Sequence, residues 1–129
     1  MTDMSRLIIA AGVRTPKVTF AFDKGEFCLE GESYPEDVRA FYDAPMGQFY
    51  DWLAASSAPV RFEFKLVYFN SSTAKVIMDL MERLEEAAGN GRECLIQWHY
   101  AEDDDNIKEL GEEFAEDLTS ARFQLVEMS

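Results

Sequence analysis

The run Ser71-Ser72-Thr73, preceded by Asn70, stands where a long apolar strand pattern gives way to a helical one. A helix start presents outward-pointing amides with partial positive charge, so a phosphate carried by one of these hydroxyls finds donors and a favourable dipole. The same residues have a purely structural use, because Asn70 or Ser71 is a good N-cap, and the two uses are compatible. Nucleophilic catalysis lacks partners: an attacking serine needs a positioned base, and His99, in Gln97-Trp98-His99-Tyr100, is the one histidine of the chain. A packed or rim histidine is the stronger reading of it. Asp103-Asp104-Asp105 lacks the glycine and distal glutamate of a calcium loop. Cys28 and Cys94 lie in apolar alternating runs without metal-ligand spacing and read as buried, reduced thiols. With no phosphate-cradling glycine loop and no dinucleotide fingerprint, neither a metal nor a cofactor is expected.

The elements that position these residues follow from hydrophobic periodicity. Val60–Phe69 reads as a central strand, with Val60, Phe62, Phe64 and Leu66 on one face and Arg61, Glu63 and Lys65 at its start on the other. Ala74, Ile77, Met78, Met81, Leu84 and Ala88 then recur at helical spacing until Gly89-Asn90-Gly91 stops the helix. Residues 92–100 form the next strand, and strand, helix, strand predicts a right-handed parallel crossover with the hydroxyl cluster at its carboxyl edge. Upstream, Val18, Phe20 and Phe22 alternate with Thr19 and Ala21, and residues 26–31 alternate again after Asp23-Lys24-Gly25, a hairpin pattern. After Ser33-Tyr34-Pro35-Glu36 a helix is expected from an Asp43 N-cap, with Pro45 in its first turn and Met46, Phe49, Trp52 and Leu53 turned inward. Asp104 or Asp105 caps a third helix carrying Ile107, Leu110, Phe114 and Leu118, and residues 121–127 supply a last strand. The predicted order is β-β-α-β-α-β-α-β, an α/β sandwich with helices packed on a mixed sheet. Residues 4–11, within an N-terminal stretch 1–14, read either as an edge strand or as a segment that docks on the body.

Composition narrows the function further. A chain of 129 residues, 47% of them hydrophobic, buries one core and is short for two, so a single domain over residues 1–129 is expected. Twelve basic against 25 acidic residues give a net charge of -13, which opposes approach to nucleic acid or an anionic membrane. Nine carboxylates fall within residues 102–117 against the single Lys108, a solvated helix face or a strip that meets a basic partner. Without a membrane-spanning run or a secretory signal pattern, the expected location is cytoplasmic.

Taken together, Ser33-Tyr34-Pro35-Glu36, the run 66–75 (Leu-Val-Tyr-Phe-Asn-Ser-Ser-Thr-Ala-Lys), Gln97-Trp98-His99-Tyr100 and the run 109–114 (Glu-Leu-Gly-Glu-Glu-Phe) resemble the SiaC family of bacterial regulatory phosphoproteins, from about Thr15 onward. That family is similar to the STAS domains of anti-sigma-factor antagonists, in which a serine at a helix start is phosphorylated. The resemblance implies a STAS-like fold and a partner-switching role with no catalysis of its own. A cognate serine/threonine kinase phosphorylates a hydroxyl after the asparagine, a metal-dependent phosphatase removes the phosphate, and the unphosphorylated form binds and activates a diguanylate cyclase, raising cyclic-di-GMP and favouring biofilm. By position the acceptor falls on Ser71, directly after Asn70; the family commonly carries threonine at that position, and with this chain's threonine displaced to Thr73, Thr73 is the alternative. Asn70, Ser72, Ser33, Tyr34, Pro35 and Glu36 are implied as its neighbours. The competing expectations are a STAS-like binding or scaffold module that is never phosphorylated and, with least support, a small hydrolase using Ser71 and His99.

Overall fold

Alternating apolar residues recur in most of the strand segments, and a sheet built from them must bury one face. The computed structural model describes residues 6–128, with the elements β1 (Arg6–Ile9), β2 (Lys17–Ala21), β3 (Glu26–Ser33), α1 (Val38–Ala55), β4 (Val60–Phe69), α2 (Ser71–Gly89), β5 (Cys94–Ala101), α3 (Asp105–Ala115) and β6 (Arg122–Met128). The strands form one six-stranded sheet in the order β1-β2-β3-β4-β5-β6. It is antiparallel from β1 to β3 and parallel from β3 to β6. Cross-strand register aligns Phe20, Phe27, Phe62, Ile96 and Phe123 in one row and Val18, Leu29, Phe64, Trp98 and Leu125 in the next. With a side-chain period of two, both rows share one face.

The helices cover that face. Phe49 of α1 meets Phe27 edge-on with ring centres 4.8 Å apart and Phe62 at 5.3 Å, while Ile77, Leu80 and Leu84 of α2 and Ile107 of α3 join the same core. On the α3 side the indole of Trp98 donates to the Ile107 carbonyl at 2.8 Å. Gly111 lets α3 lie against that indole, because a Cβ there would stand 2.4 Å from its Cδ1. Arg92 ties the start of the β5 segment to the end of α1, donating from Nη1 to the carbonyls of Leu53 (2.9 Å) and Ser56 (2.7 Å).

The expected element order is recovered, with one more strand in front of it. Of the two readings for residues 1–14, Arg6–Ile9 takes the strand, pairing antiparallel with β2; Met1–Ser5 lie outside the described residues. The first helix starts earlier than expected. Its N-cap is Asp37, whose side chain accepts from the Ala40 amide at 3.1 Å, and Pro45 stands in the helix interior. The one backbone bond that Pro45 forfeits is offset by burial of Tyr42, Pro45, Met46 and Phe49 on the same helix face. In α2 the expectation for Met78 fails: it is 52% exposed, and Leu80 takes the inward position. Asp104 caps α3, accepting from Ile107 N at 3.0 Å.

Glu85 of α2 holds the connection into β6, accepting from the amides of Thr119 (3.0 Å), Ser120 (2.9 Å) and Ala121 (2.8 Å) and from the Thr119 hydroxyl (2.8 Å). These donors, the Ala121 amide foremost, favour the carboxylate and bring its pKa down to about 2 from 4.5. A lowered folded-state pKa contributes stability that is present above the unfolded value and fades as pH falls. Glu85→Gln is therefore expected to lower the urea midpoint at pH 7, with the gap to the parent protein closing between about pH 4.5 and pH 2.

Candidate functional site

At the carboxyl end of β4 the chain must leave a buried strand and open a helix within two residues, and Asn70 makes the change. Its backbone amide donates to the Ser33 carbonyl at the end of β3 (3.1 Å), anchoring it to the sheet. Its side-chain Oδ1 accepts from the Thr73 amide and from the Ser72 hydroxyl, both at 3.0 Å. The N-cap is therefore Asn70, and Ser71 is the first residue of the helix proper.

The three hydroxyls of the cluster meet different fates. Thr73 is fully buried. Its hydroxyl donates to the Ser33 carbonyl at 3.1 Å and lies 2.9 Å from Ser33 Oγ, which lies 2.6 Å from the Tyr42 hydroxyl. With Thr73 donating to the carbonyl, each remaining proton has one place to go: Tyr42 donates to Ser33, and Ser33 donates to Thr73. Burial pushes the Tyr42 phenol up to about 12, so it stays a protonated donor. Ser72 is half-buried and bonded to Asn70. Ser71 is exposed, and its hydroxyl makes no hydrogen bond among the described residues.

The implied neighbours divide. Ser33 joins the buried hydroxyl chain, and Pro35, two residues on, is also buried. Tyr34 is half-buried, its ring 5.7 Å from that of Tyr68 in a T-shaped pair and its hydroxyl donating to the Val13 carbonyl at 3.3 Å. Glu36 turns to an ion pair with Arg14 in the β1–β2 connection. Val67 and Tyr68, 52% and 51% exposed, leave apolar surface on the strand end that leads into Asn70. Tyr42 went unnoticed in the sequence because it lay ahead of the expected helix start.

His99 is placed elsewhere. Trp98 beside it points into the helix-covered core, so alternation puts His99 on the opposite sheet face, where its Nε2 lies 3.1 Å from Glu63 Oε1. The Ser71–His99 pairing that a hydrolase needs is not formed. Cys94 is buried and Cys28 half-buried; burial raises both thiols, Cys28 to about 11, which keeps them protonated and inert. Among the described residues no group of three or more His, Cys, Asp or Glu side chains is placed to hold a metal ion. No described helix is long and apolar enough to cross a membrane.

This division of labour separates the hydroxyls by stability. Thr73→Val keeps shape but orphans buried partners and is expected to cost about 1–3 kcal/mol. Asn70→Ala removes the cap at about 0.5–2 kcal/mol. Ser71→Ala, at an exposed site away from both features, stays within about 0.5 kcal/mol. Urea denaturation of the three variants checks the order.

Known proteins share this fold. A family model described as SiaC family regulatory phosphoprotein matches residues 9–128. An uncharacterised protein of Pseudomonas aeruginosa strain UCBPP-PA14 is 36% identical over 120 residues, spanning 90% of this chain and 92% of the relative. The crystal structure of apo-SiaC from Pseudomonas aeruginosa superposes with a TM-score of 0.86 at 34% identity, over 95% of this chain and 99% of that one. A chain in the crystal structure of the diguanylate cyclase SiaD in complex with its activator SiaC, from the same organism, gives a TM-score of 0.90 at 31% identity, over 95% and 99% of the two chains. A match of the family model over nearly the whole chain, and likeness in both sequence and structure to solved SiaC proteins, show that this chain belongs to the SiaC family of regulatory phosphoproteins.

Proposed function

We propose that the protein is a phosphorylation-controlled partner switch in the cytoplasm, acting as a regulator and not as a catalyst. With the Ser71 hydroxyl free it binds and activates a diguanylate cyclase. A cognate serine/threonine kinase adds phosphate to Ser71 and releases the cyclase, and a metal-dependent phosphatase restores the binding form. Cyclic-di-GMP, and with it biofilm formation, is the output. The observation that carries the reading is the contrast within one helix turn: Ser71 is exposed and free, whereas Thr73 is fully buried and committed in both directions. A kinase reaches the first without disturbing the fold and reaches the second only by opening it. The activator in the similar Pseudomonas aeruginosa complex supports the cyclase as the partner class.

The direction of the switch follows from local surroundings. Phosphate adds roughly -1.5 to -2 charges and three strong acceptor oxygens. The Asn70 side chain and carbonyl already take the amides of Thr73 and Ala74, leaving those of Ser71 and Ser72 at the open end of α2 to meet a phosphate. The fold therefore accommodates the modification. A partner does not, because exposed Val67 and Tyr68 make the neighbouring surface apolar, and a hydrated phosphate beside it is costly to cover.

Phosphopeptide mapping after reaction with the kinase is expected to place phosphate on Ser71; recovery on Thr73 alone refutes the assignment. In titration calorimetry against the cyclase, Ser71→Ala retains binding, while phosphoserine or Ser71→Asp weakens it by about 2–5 kcal/mol. Binding by the phosphorylated form alone reverses the proposed direction. Intact mass of protein from its native host decides against an unmodified scaffold if a phosphorylated species is present.

A further inference from the structure

We propose that the cavity where the ends of α1 and α2 meet is a binding site for a small oxyanion, a phosphate or carboxylate carried on a compact organic molecule. The inference stands apart from the phosphorylation switch, because the cavity lies at the other end of α2: at about 1.5 Å per residue, Asn90 stands about 28 Å from Ser71. The volume, about 440 Å³, is in the range of small-molecule sites. Arg83, Arg92 and Glu86 are the charged residues of its lining, which is therefore net positive in a chain of 12 basic and 25 acidic residues. Its neighbours have the opposite character. The next cavity along the α1–α2 seam sets Asp43, Asp79 and Glu82 against the same Arg83, and the one between α2 and α3 has only carboxylates among its charged groups.

Two helix C-termini carry partial negative charge, which opposes an anion, but local bonding discharges both. Arg92 donates from Nε to the Ala58 carbonyl and from Nη1 to those of Leu53 and Ser56, which satisfies the end of α1. The last carbonyls of α2 are taken by backbone amides: Asn90 N donates to Glu86 and Ala87, Gly91 N to Ala88, and Arg92 N to Ala87. Donors remain. Nη2 of Arg92 is buried with no acceptor among the described residues, and a buried donor without a partner calls for water or a ligand. Arg83 sits over the Tyr50 ring, 4.4 Å from its centre, and makes no ion pair among the described residues. That stack holds the guanidinium in place, so less side-chain freedom is lost when a ligand binds. A guanidinium presents paired N–H groups that fit two oxygens of one carboxylate or phosphate. The Ser57 hydroxyl, just beyond α1, and the Asn90 amide, at the end of α2, share the lining and add neutral donors from both sides of the seam.

The test is a nuclear magnetic resonance titration of the full-length protein, labelled with nitrogen-15, at constant ionic strength. Three probes are used: inorganic phosphate, succinate, and phosphoenolpyruvate, which carries both groups; sodium chloride is the reference. The backbone signals of Gly91 and Arg92 and the side-chain Nε signal of Arg83 are expected to shift saturably with at least one probe, with Kd about 1 mM or tighter, while the Ser71 amide stays in place. The probes that saturate identify the oxyanion as phosphate, carboxylate or both together. Arg83→Gln is expected to weaken binding about tenfold or more, and Ser57→Asp, which sets a carboxylate on the lining, to abolish it. Arg39→Gln, on α1 outside the lining, is the charge control and is expected to bind as the parent does. All three positions are exposed, so the variants are expected to keep the parent's urea midpoint. Absence of a saturable shift with every probe overturns the assignment, as does equal binding by Arg83→Gln and the parent. Shifts that sodium chloride reproduces, or an Arg39→Gln loss equal to that of Arg83→Gln, identify general charge screening and also overturn it.

Discussion

The buried chain of hydroxyls from Tyr42 through Ser33 to the Thr73 side chain and back to the Ser33 carbonyl is the constraint on which the rest depends. It draws α1, the end of β3 and the start of α2 to one point at the carboxyl edge of the sheet. Every polar atom in it has a partner, and in a low-dielectric interior a fully satisfied network rigidifies while a broken one is costly. Its bearing on the proposed acceptor is indirect. By fixing Thr73 inward it sets the rotation of the first turn of α2, and that rotation turns Ser71 outward, about 200° away around the helix.

A regulatory hydroxyl needs two properties that oppose each other: a rigid frame, so that modification changes a surface without melting it, and free access for another enzyme. Here adjacent residues supply them separately. Asn70 caps the helix with its side chain and holds the sheet with its amide, so Ser71 carries no structural duty. The helix-covered face is packed by aromatics down to the Phe49 and Trp98 contacts, and the large apolar side chains that still meet water among the described residues are Val67 and Tyr68 at the strand end, Met78 on α2, and Ile8 and Val13 near the first strand.

Much of this was legible in the sequence because it is local. The β4–α2 junction was placed correctly, since the alternation of Val60, Phe62, Phe64 and Leu66 stops where Asn70 and the hydroxyls begin. The third helix was equally plain from its aspartate cap. The start of α1 was hidden because Pro45 argues for a first turn, and only tertiary burial of Tyr42 and Phe49 overrides that argument. Met78 was misassigned because it sits next to Ile77 and helical spacing tolerates either neighbour. The hydroxyl chain had no signal at all: its members are 9 and 40 residues apart, and only the folded sheet edge brings them together. The choice of Ser71 as acceptor came from resemblance, and burial of Thr73 supplies an independent physical reason for it.

The central claim is that the modifiable hydroxyl and the structural hydroxyl are different residues of one helix turn. The most direct measurement is a crystal structure of the protein after stoichiometric phosphorylation by its kinase. The account predicts phosphate on Ser71 Oγ at the open end of α2, with the Thr73 hydroxyl still within hydrogen-bond distance of the Ser33 carbonyl and α1 unmoved. Phosphate on Thr73, with Tyr42 and Ser33 pulled apart and the first turn of α2 unwound, contradicts it.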